Sequence, residues 1–276
     1  MKLENSIDIS VSRLSYQAMM TTPIYDPLRP APRLRPFKAL GHFQKLVIDK
    51  EDTEQVFHMT DCLPSAGYDR VLRAFCESAA GQARMAQEPY LPDLLDDHDR
   101  LLAMPAGSVA HAYVAFMRAE GLSAAGLVAE SAKAGRARFD DQAQRFHDRL
   151  RDTHDLVHVL TGYGRDPLGE QCALGFSYSQ YDSWTDGFLA WAGAFELWRR
   201  VKADAPVFAA VREAIRIGKA AEPLFKQDIS ALLAEPLEAA RVRMNIGAST
   251  HYARAHKAYH ARGIDPYNFS GGAALA

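Results

Sequence analysis

The chain has 276 residues, of which 48% are hydrophobic and 24% are charged, and its formal net charge at pH 7 is −2. This balance argues against a nucleic-acid-binding domain, which would usually be basic, and it leaves enough apolar material for one large domain or two small ones. No run of about eighteen apolar residues predicts a transmembrane helix, and the first ten residues lack the apolar stretch of a secretory signal. Scattered cysteines at Cys62, Cys76 and Cys172 predict reduced thiols rather than disulfides or a cysteine metal site.

Residues 1–37 are predicted to form an extended N-terminal arm. Five prolines interrupt regular structure in its second half, and Arg29, Arg33 and Arg35 add positive charge. We expect the arm to lie on the surface or on a partner, where its arginines are either solvated or in contact with anionic lipid headgroups.

Residues 38–248 show helical periodicity and are predicted to form one helical domain. No series of alternating strands and no internal repeat is recognisable. The predicted fold class is therefore all-α: a single-domain helical bundle with a metal site between two helices. The predicted helices cover residues 43–63 (two short helices joined at 49–53), 68–85, 108–120, 123–134, 140–161, 187–201, 206–222 and 236–246.

An acidic stretch at residues 89–99 is predicted to be a loop with a short helical turn. A second metal site there is an alternative, but a charged surface turn is favoured because no helical spacing organises its acidic groups. These groups are Asp93, Asp96, Asp97 and Asp99, with His98 among them.

Large aromatic residues alternate with small ones in residues 187–201. Small residues allow another helix or a lipid tail to approach closely, and aromatic residues would bound the gap. We therefore expect either a tightly packed core helix or one wall of an apolar groove. Residues 249–276, which are predicted to be a C-terminal extension, are polar and aromatic and end in a Gly/Ala tail, and they suggest no function.

The most informative side chains lie between residues 149 and 170. His154 and His158 are four residues apart, so on a helix their imidazoles lie one turn apart on the same face and can point at one common position. Asp155 lies about 100° around the helix from His154, where it can join that position or support a ligand from its edge.

A carboxylate from the next segment closes this group. Asp140 or Asp141 can cap the first helix, and Gly162 and Gly164 allow the chain to leave it. Pro167 suits the first turn of a second helix, and Glu170 follows within that turn. A tight helix–turn–helix can therefore bring Glu170 back beside His158.

His154, Asp155, His158 and Glu170 are thus the predicted metal ligands and catalytic residues. Two imidazoles and two carboxylates neutralise a divalent ion, for which we expect zinc, with iron, manganese and cobalt as alternatives. If all four bind a tetrahedral ion the site is structural, whereas a supporting role for Asp155 leaves a position open for water or substrate.

Two arginines precede the histidines. Arg151 is better placed than Arg149 to reach the face of His154 or Asp155 and bind a substrate carboxylate, with outward solvation as the alternative.

The whole pattern, HDxxH followed by eleven residues and Glu, resembles the signature of the fourth coenzyme-Q (ubiquinone) biosynthesis protein family. The likeness extends to Arg149, Arg151, the run HDLVHVLTG and the LGE at residues 168–170. Residues 102–122 are similar to that family's LPxGS…Y…F segment, and residues 233–246 to its closing helix. The resemblance covers roughly residues 40–247.

The resemblance implies a role on polyprenylated 4-hydroxybenzoate-derived intermediates: loss of the ring C1 carboxylate with hydroxylation at that carbon. The ion would orient the aromatic head, and the prenyl tail would lie along an apolar groove. Implied partners are other ubiquinone-biosynthesis enzymes and the membrane surface, and the implied location is cytoplasmic and peripheral to the inner membrane. A homodimer is left open. The alternative within the family is a non-catalytic lipid-binding scaffold that presents quinone intermediates.

Three other classes fit the residues less well. A zinc peptidase needs Glu beside the first histidine, where this chain has Asp155. An HD-type phosphohydrolase needs a further upstream histidine, His98 or His111, and a later aspartate, Asp182 or Asp186, and leaves the Glu170 spacing unexplained. A structural protein with a local His–Asp hydrogen bond is the third.

Overall fold

The computed structural model describes residues 22–49, 52, 54–201 and 203–268, and within them it contains helices and no strand. The predicted all-α class is confirmed. In the first half of the described chain the helices are α1 (Pro36–Ile48), α2 (Glu54–Thr60), α3 (Ala66–Glu77), α4 (Ala79–Gln87), α5 (Leu91–Asp96), α6 (His98–Leu102), α7 (Val109–Glu120) and α8 (Ala124–Lys133). In the second half they are α9 (Gln142–Asp152), α10 (His154–Thr161), α11 (Pro167–Tyr181), α12 (Trp184–Arg200), α13 (Val207–Ala220), a 3-10 turn (Leu224–Lys226), α14 (Ile229–Ala234), α15 (Leu237–Arg243) and α16 (Thr250–Ala261).

Helix α11 lies at the centre of the main core, packed against α10, α12 and α13. Small residues allow this close packing. A Cβ atom added to Gly218 of α13 would lie 2.4 Å from the carbonyl oxygen of Phe176 on α11, so the two backbones nearly touch. Cys172 and Ala173 are fully buried on α11. The start of α11, which carries Glu170, is therefore fixed by the core.

A second, aromatic core fixes the helix that precedes the histidines. Phe146 of α9 contacts Phe75 of α3 and Phe225 of the 3-10 turn, with ring centroids 5.3 and 5.5 Å apart. All three side chains are buried. Burying such rings is among the largest single contributions to a core, so α9 is held firmly against α3 and the 3-10 turn.

Most helix ends lie where capping residues predict them. The Asp141 carboxylate accepts the N–H of Gln144 at 2.7 Å, and Ser108 and Ser123 cap α7 and α8 in the same way. Gly121 ends α7 in the left-handed region, with φ of 66°. Because a side-chain cap replaces a missing intrahelical hydrogen bond, these residues set helix boundaries locally.

Two predicted helices are each broken in two, which corrects the expectation. Residues 140–161 contain α9 and α10, because Thr153 has φ −97° and ψ 3° and its hydroxyl donates to the carbonyl of Arg149 at 2.8 Å. Residues 68–85 break at Ser78, whose hydroxyl donates to the Phe75 carbonyl and accepts the N–H of Gly81. Such side-chain bonds compete with the helical pattern.

Two further expectations need correction. The predicted loop at 89–99 forms α5 and the first two residues of α6, with Asp97 capping α6 and Asp96 accepting N–H groups at the start of α8. These contacts make the acidic residues caps, which agrees with the favoured surface role. Helix α1 begins at Pro36, inside the predicted arm. Residues 1–21 of that arm and residues 269–276 of the extension lie outside the described residues, and the domain boundaries stay predictions.

The predicted C-terminal extension is partly helical: α16 packs on α13 and α11, with Ala255 and Tyr259 fully buried. Among the described helices, none has the length and apolar character needed to cross a membrane.

Candidate metal centre

A tight turn joins the two helices that carry the predicted ligands. Helix α10 ends at Gly162, whose φ of 76° suits glycine, and Asp166 caps α11 by accepting the N–H groups of Leu168 and Gly169. A Cβ atom on Gly169 would lie 2.0 Å from the carbonyl oxygen of Gly164. Only glycine allows this approach, which turns the chain back so that Glu170 faces α10.

His154, His158 and Glu170 come together, as predicted. The Nε2 atoms of His154 and His158 are 3.3 Å apart, and Oε2 of Glu170 lies 3.8 Å from the first and 3.5 Å from the second. Ligand nitrogens on a tetrahedral zinc ion lie about 3.3 Å apart, because each Zn–N bond measures about 2.0–2.1 Å. The spacing of the three donor atoms therefore fits a shared divalent ion.

The orientation of His158 also suits metal binding. Its Nδ1 lies 3.1 Å from the carbonyl oxygen of Tyr163, which can only accept a hydrogen bond. Nδ1 must therefore carry the proton in the neutral ring, and Nε2 presents its lone pair towards His154 and Glu170. Phe116 stacks on the imidazole at 5.5 Å, and the side chain is only 1% exposed.

The charges of this group are strongly coupled. Burial alone would raise the pKa of Glu170, but the imidazoles of His158 and His154 hold it far below its usual range. Burial alone would lower the pKa of His154, but the hydrogen bond and negative charge of Glu170 raise it. Glu170 is therefore an ionised carboxylate at neutral pH, which is the form that binds a cation.

Asp155 is not brought into the cluster. The donor atoms that converge belong to His154, His158 and Glu170, while the buried Asp155 lies near Tyr113 of α7, whose pKa its charge helps to raise. The 100° step along the helix turns its carboxylate towards α7. Its assignment as a direct ligand stays a prediction, and the geometry favours the supporting role.

Neither upstream arginine is available to a substrate, which corrects that expectation. Arg149 is buried, donating to the Phe225 and Gln227 carbonyls and pairing with Glu88. Arg151 pairs with Asp152 and Asp148, and its side chain is 7% exposed.

The cation beside the cluster is Arg165, which the sequence analysis did not single out. Its Nε lies 3.5 Å from Oε1 of Glu170, and its side chain is 31% exposed. It therefore has both a neighbour in the cluster and open space around it. Its position in the turn between α10 and α11 is the sequence feature that could have identified it as a residue of the site.

A polar group from α12 lies next to His154. Burial raises the pKa of Asp186 to about 6, against the opposing effects of the Tyr181 hydroxyl and the charge of His154. Tyr68 and His147 stack nearby, with Tyr68 also 6.0 Å from Tyr181, and burial lowers the pKa of His147 to about 4. The Tyr68 hydroxyl is buried without a hydrogen-bond partner. Of these groups, Asp186 is the one whose pKa allows it to exchange a proton near neutral pH.

The C-terminal helix contacts the turn from the other side. The Tyr252 hydroxyl donates to the fully buried Asp166 and accepts the N–H of Gly164 at 3.0 Å. The Nε2 atom of His256 lies 3.2 Å from the same aspartate. These residues also line a cleft of about 450 Å³ behind His158. No local pattern predicted these contacts, because the partners lie 86 or more positions apart.

The competing site classes gain no support from the geometry. His111 faces the carbonyl oxygens of Leu102 and Met104, and neither it nor His98 joins a metal-binding group among the described residues. Asp182 is the left-handed C-cap of α11. Asp155, at the position of a peptidase's general base, lies outside the cluster.

One comparison with known proteins identifies the family of the chain. The family model described as coenzyme Q (ubiquinone) biosynthesis protein Coq4 matches residues 39–249. The fold is similar to the crystal structure of a candidate ubiquinone biosynthesis protein from Nostoc punctiforme, with a TM-score of 0.57, 17% identity, and coverage of 78% of this chain and 100% of that one. At this identity the likeness concerns the fold. A search of curated proteins gave no match.

Proposed function

Because the chain belongs to the coenzyme Q (ubiquinone) biosynthesis protein Coq4 family, we propose that it removes the C1 carboxylate of a polyprenylated 4-hydroxybenzoate-derived intermediate and hydroxylates that carbon. In the balanced reaction the ring acid, water and O₂ give the ring hydroxyl, CO₂ and hydrogen peroxide, so that O₂ accepts the two electrons. The observation that carries the proposal is the convergence of His154, His158 and Glu170, whose three donor atoms lie 3.3–3.8 Å apart. The family supplies the pathway, and this cluster supplies a place for the reaction.

The three side chains would hold a divalent ion. Two imidazoles and one carboxylate leave coordination positions open, which is typical of catalytic rather than structural sites. The same donors serve zinc and iron(II), so zinc, iron, manganese and cobalt all remain candidates. When bound, the ion supplies a Lewis acid for oxygen atoms of the aromatic head.

The surrounding residues have separate tasks in this proposal. The Tyr163 carbonyl keeps the proton of His158 on Nδ1, so that Nε2 stays free. Arg165, half-exposed beside Glu170, would bind the carboxylate of the ring before it leaves as CO₂. Asp186, whose pKa is about 6, would hold or release a proton beside His154.

The experiment is turnover by purified protein loaded in turn with zinc, iron(II), manganese or cobalt, supplied with the prenylated carboxylated ring and oxygen. Glu170→Ala should abolish product formation and let the carboxylated precursor accumulate in cells that depend on ubiquinone for growth. Glu130→Ala is the matched control, because Glu130 lies on α8 and its ion-pair partner among the described residues is Lys133, which is on the same surface. Normal precursor turnover by the Glu170→Ala protein would contradict the catalytic assignment.

A non-catalytic lipid presenter is the second candidate. It is favoured by one observation, the exposed aromatic face of α12, which offers an apolar surface without needing a metal. The small residues of α12 do not form an open groove, since a Cβ atom on Gly193 would meet the Gln171 side chain at 2.3 Å. A presenter would keep supporting ubiquinone synthesis after Glu170→Ala and lose it when the aromatic face is changed.

A further inference from the structure

The outer face of α12 carries an unusual row of aromatic residues. The chain contains three tryptophans, and all three lie on this helix at seven-residue intervals: Trp184, Trp191 and Trp198. Phe188 and Phe195 fill the positions between them, so the spacing along the row is four, three, four and three residues. Residues with this spacing share one helix face. We call these five residues the aromatic stripe.

The stripe faces outward. Trp184, Trp191, Phe195 and Trp198 are 48%, 38%, 52% and 51% exposed, whereas Ala190 and Ala194 of the same helix are fully buried. Large aromatic side chains are normally the most buried part of a protein. Their exposure in a continuous row marks a surface that meets something outside the chain.

Helix α1 extends this apolar surface. Its Phe43 contacts Phe188 edge-on, with ring centroids 5.3 Å apart, so α1 crosses next to the middle of the stripe. The outward side chains of α1 are also apolar, with Phe37, Leu40 and Ile48 at 88%, 44% and 86% exposure.

Positive charge accompanies the apolar side chains. Residues 27–48 contain five arginines and lysines and no carboxylate. Arg33, Arg35, Lys38 and Lys45 are exposed and lie within ion-pair distance of no carboxylate in the described part of the chain. Like charges of this density would repel across an interface between two copies of the chain, but they match an anionic surface.

We propose that the aromatic stripe and α1 together dock the protein on an anionic phospholipid bilayer. Tryptophan and phenylalanine rings favour the boundary between headgroups and acyl chains, and the lysines and arginines would contact the phosphates. The stripe lies on the same helix as Gly193, whose added Cβ atom would lie 2.3 Å from the side chain of Gln171, the neighbour of Glu170. Docking through α12 therefore brings the metal centre close to the bilayer. This inference deepens the proposed function and rests on it in one respect: the proposed substrate carries a prenyl tail, which gives the protein a reason to bind a lipid surface.

Tryptophan fluorescence tests this docking surface directly, because every tryptophan of the chain lies in the stripe. Vesicles of phosphatidylcholine with phosphatidylglycerol should shift the emission of the full-length protein to shorter wavelength and carry the protein with them on flotation. Vesicles of phosphatidylcholine alone should do so more weakly. Lipids brominated near the headgroup should quench the emission.

Matched variants keep all three tryptophans. Phe37→Ser/Ile48→Ser/Phe195→Ser should weaken vesicle partitioning roughly tenfold or more, because three exposed apolar side chains no longer enter the bilayer. Tyr90→Ser/Val242→Ser, which changes exposed apolar residues elsewhere, should bind like the wild type. Lys38→Glu/Lys45→Glu should lose the preference for anionic lipid, and Arg254→Glu/Lys257→Glu on α16 should keep it.

Three results would overturn the proposal: no spectral shift with anionic vesicles, equal binding by the stripe and control variants, or a blue shift that grows with protein concentration without lipid. The last result, with dissociation of a dimer by the stripe variant in sedimentation, would assign the surface to a second copy. These vesicles contain no prenylated substrate, so failure to bind leaves the metal and turnover results standing, and loss of turnover leaves the binding result standing.

Discussion

The ligand pair α10–α11 and the aromatic stripe depart from ordinary burial in opposite directions. In the first, the buried His158 and the partly buried His154 and Glu170 form one cluster of polar side chains that contact one another. In the second, tryptophans and phenylalanines lie outside, where the described chain offers most of them no cover. The difference teaches that the candidate metal centre draws its three donor atoms from one chain, whereas the aromatic stripe is a surface for which we propose a partner outside the chain.

The largest expected effect is on the ligand pair. Glu170→Gln removes the ionised ligand and the charge that neutralises a cation, so metal affinity should fall at least about a hundredfold. Equilibrium dialysis with zinc and with iron(II) measures this fall, and Glu130→Gln should leave the affinity unchanged. A metal affinity of the Glu170→Gln protein within threefold of the wild type would contradict the assignment of Glu170 as a metal ligand.

A smaller effect is expected where the C-terminal helix holds the turn between the ligand helices. Tyr252→Phe removes the hydroxyl that donates to the buried Asp166, and hydrogen bonds to charged groups contribute about 1.5–3 kcal/mol. The free energy of unfolding in urea should fall by about that amount. Tyr90→Phe, an exposed control, should change it by less than about 0.5 kcal/mol. An unchanged value for Tyr252→Phe would show that α16 does not support the site.

The number of protons released on metal binding tests the proposed charge coupling between His154 and Glu170. Burial opposes both shifts, but Glu170 raises the pKa of His154, and His158 and His154 lower the pKa of Glu170. Metal needs a neutral imidazole, so at pH below the folded pKa of His154 binding should displace up to about one proton, and the release should fade as pH rises through that pKa. Calorimetry in buffers of different ionisation enthalpy measures it. Release that rises with pH would contradict this coupling.

The same pair sets a pH window for the metal-free fold. Because the pKa of His154 is raised on folding, this residue stabilises the folded state fully at pH values below its unfolded pKa of 6.5. The stabilisation is lost as the pH rises through the folded pKa. Because the pKa of Glu170 is lowered on folding, this residue stabilises the folded state fully at pH values above its unfolded pKa of 4.5. The stabilisation is lost as the pH falls through the folded pKa. The contribution should therefore be greatest between these two values.

The smallest effect concerns the stripe. Phe195→Ala should change the free energy of unfolding by less than about 0.5 kcal/mol, because the ring is 52% exposed. Phe146→Ala in the aromatic core, by contrast, should cost about 3–5 kcal/mol. Comparable losses for the two variants would mean that the stripe stabilises the fold, and its role as a docking surface would weaken.

Local sequence signals predicted much of this molecule. Asp141, Ser108, Gly121 and Asp166 mark helix ends because capping depends on hydrogen bonds to residues three or four positions away. The convergence of His154, His158 and Glu170 was predictable for the same reason, since helical spacing and one tight turn determine it. The breaks at Thr153 and Ser78 were missed because either residue is also tolerated inside a helix.

Contacts between residues far apart in the chain could not be predicted from the sequence. Arg149 was a candidate for binding a substrate carboxylate, with outward solvation as the alternative, but its guanidinium donates to the Phe225 carbonyl 76 positions away, which no spacing rule describes. Tyr252 and His256 reach Asp166 across a similar distance along the chain. The alternation in α12 identified a helix, but only the packing of α11 on its small residues showed which face lies inside.

The central claim is that three side chains share one divalent ion, and anomalous diffraction from crystals of the metal-loaded protein tests it most directly. The account predicts one peak at the metal's absorption edge, about 2.0–2.2 Å from Nε2 of His154, Nε2 of His158 and a carboxylate oxygen of Glu170. A peak bound elsewhere, or none at these atoms in protein exposed to zinc and iron(II), would contradict it.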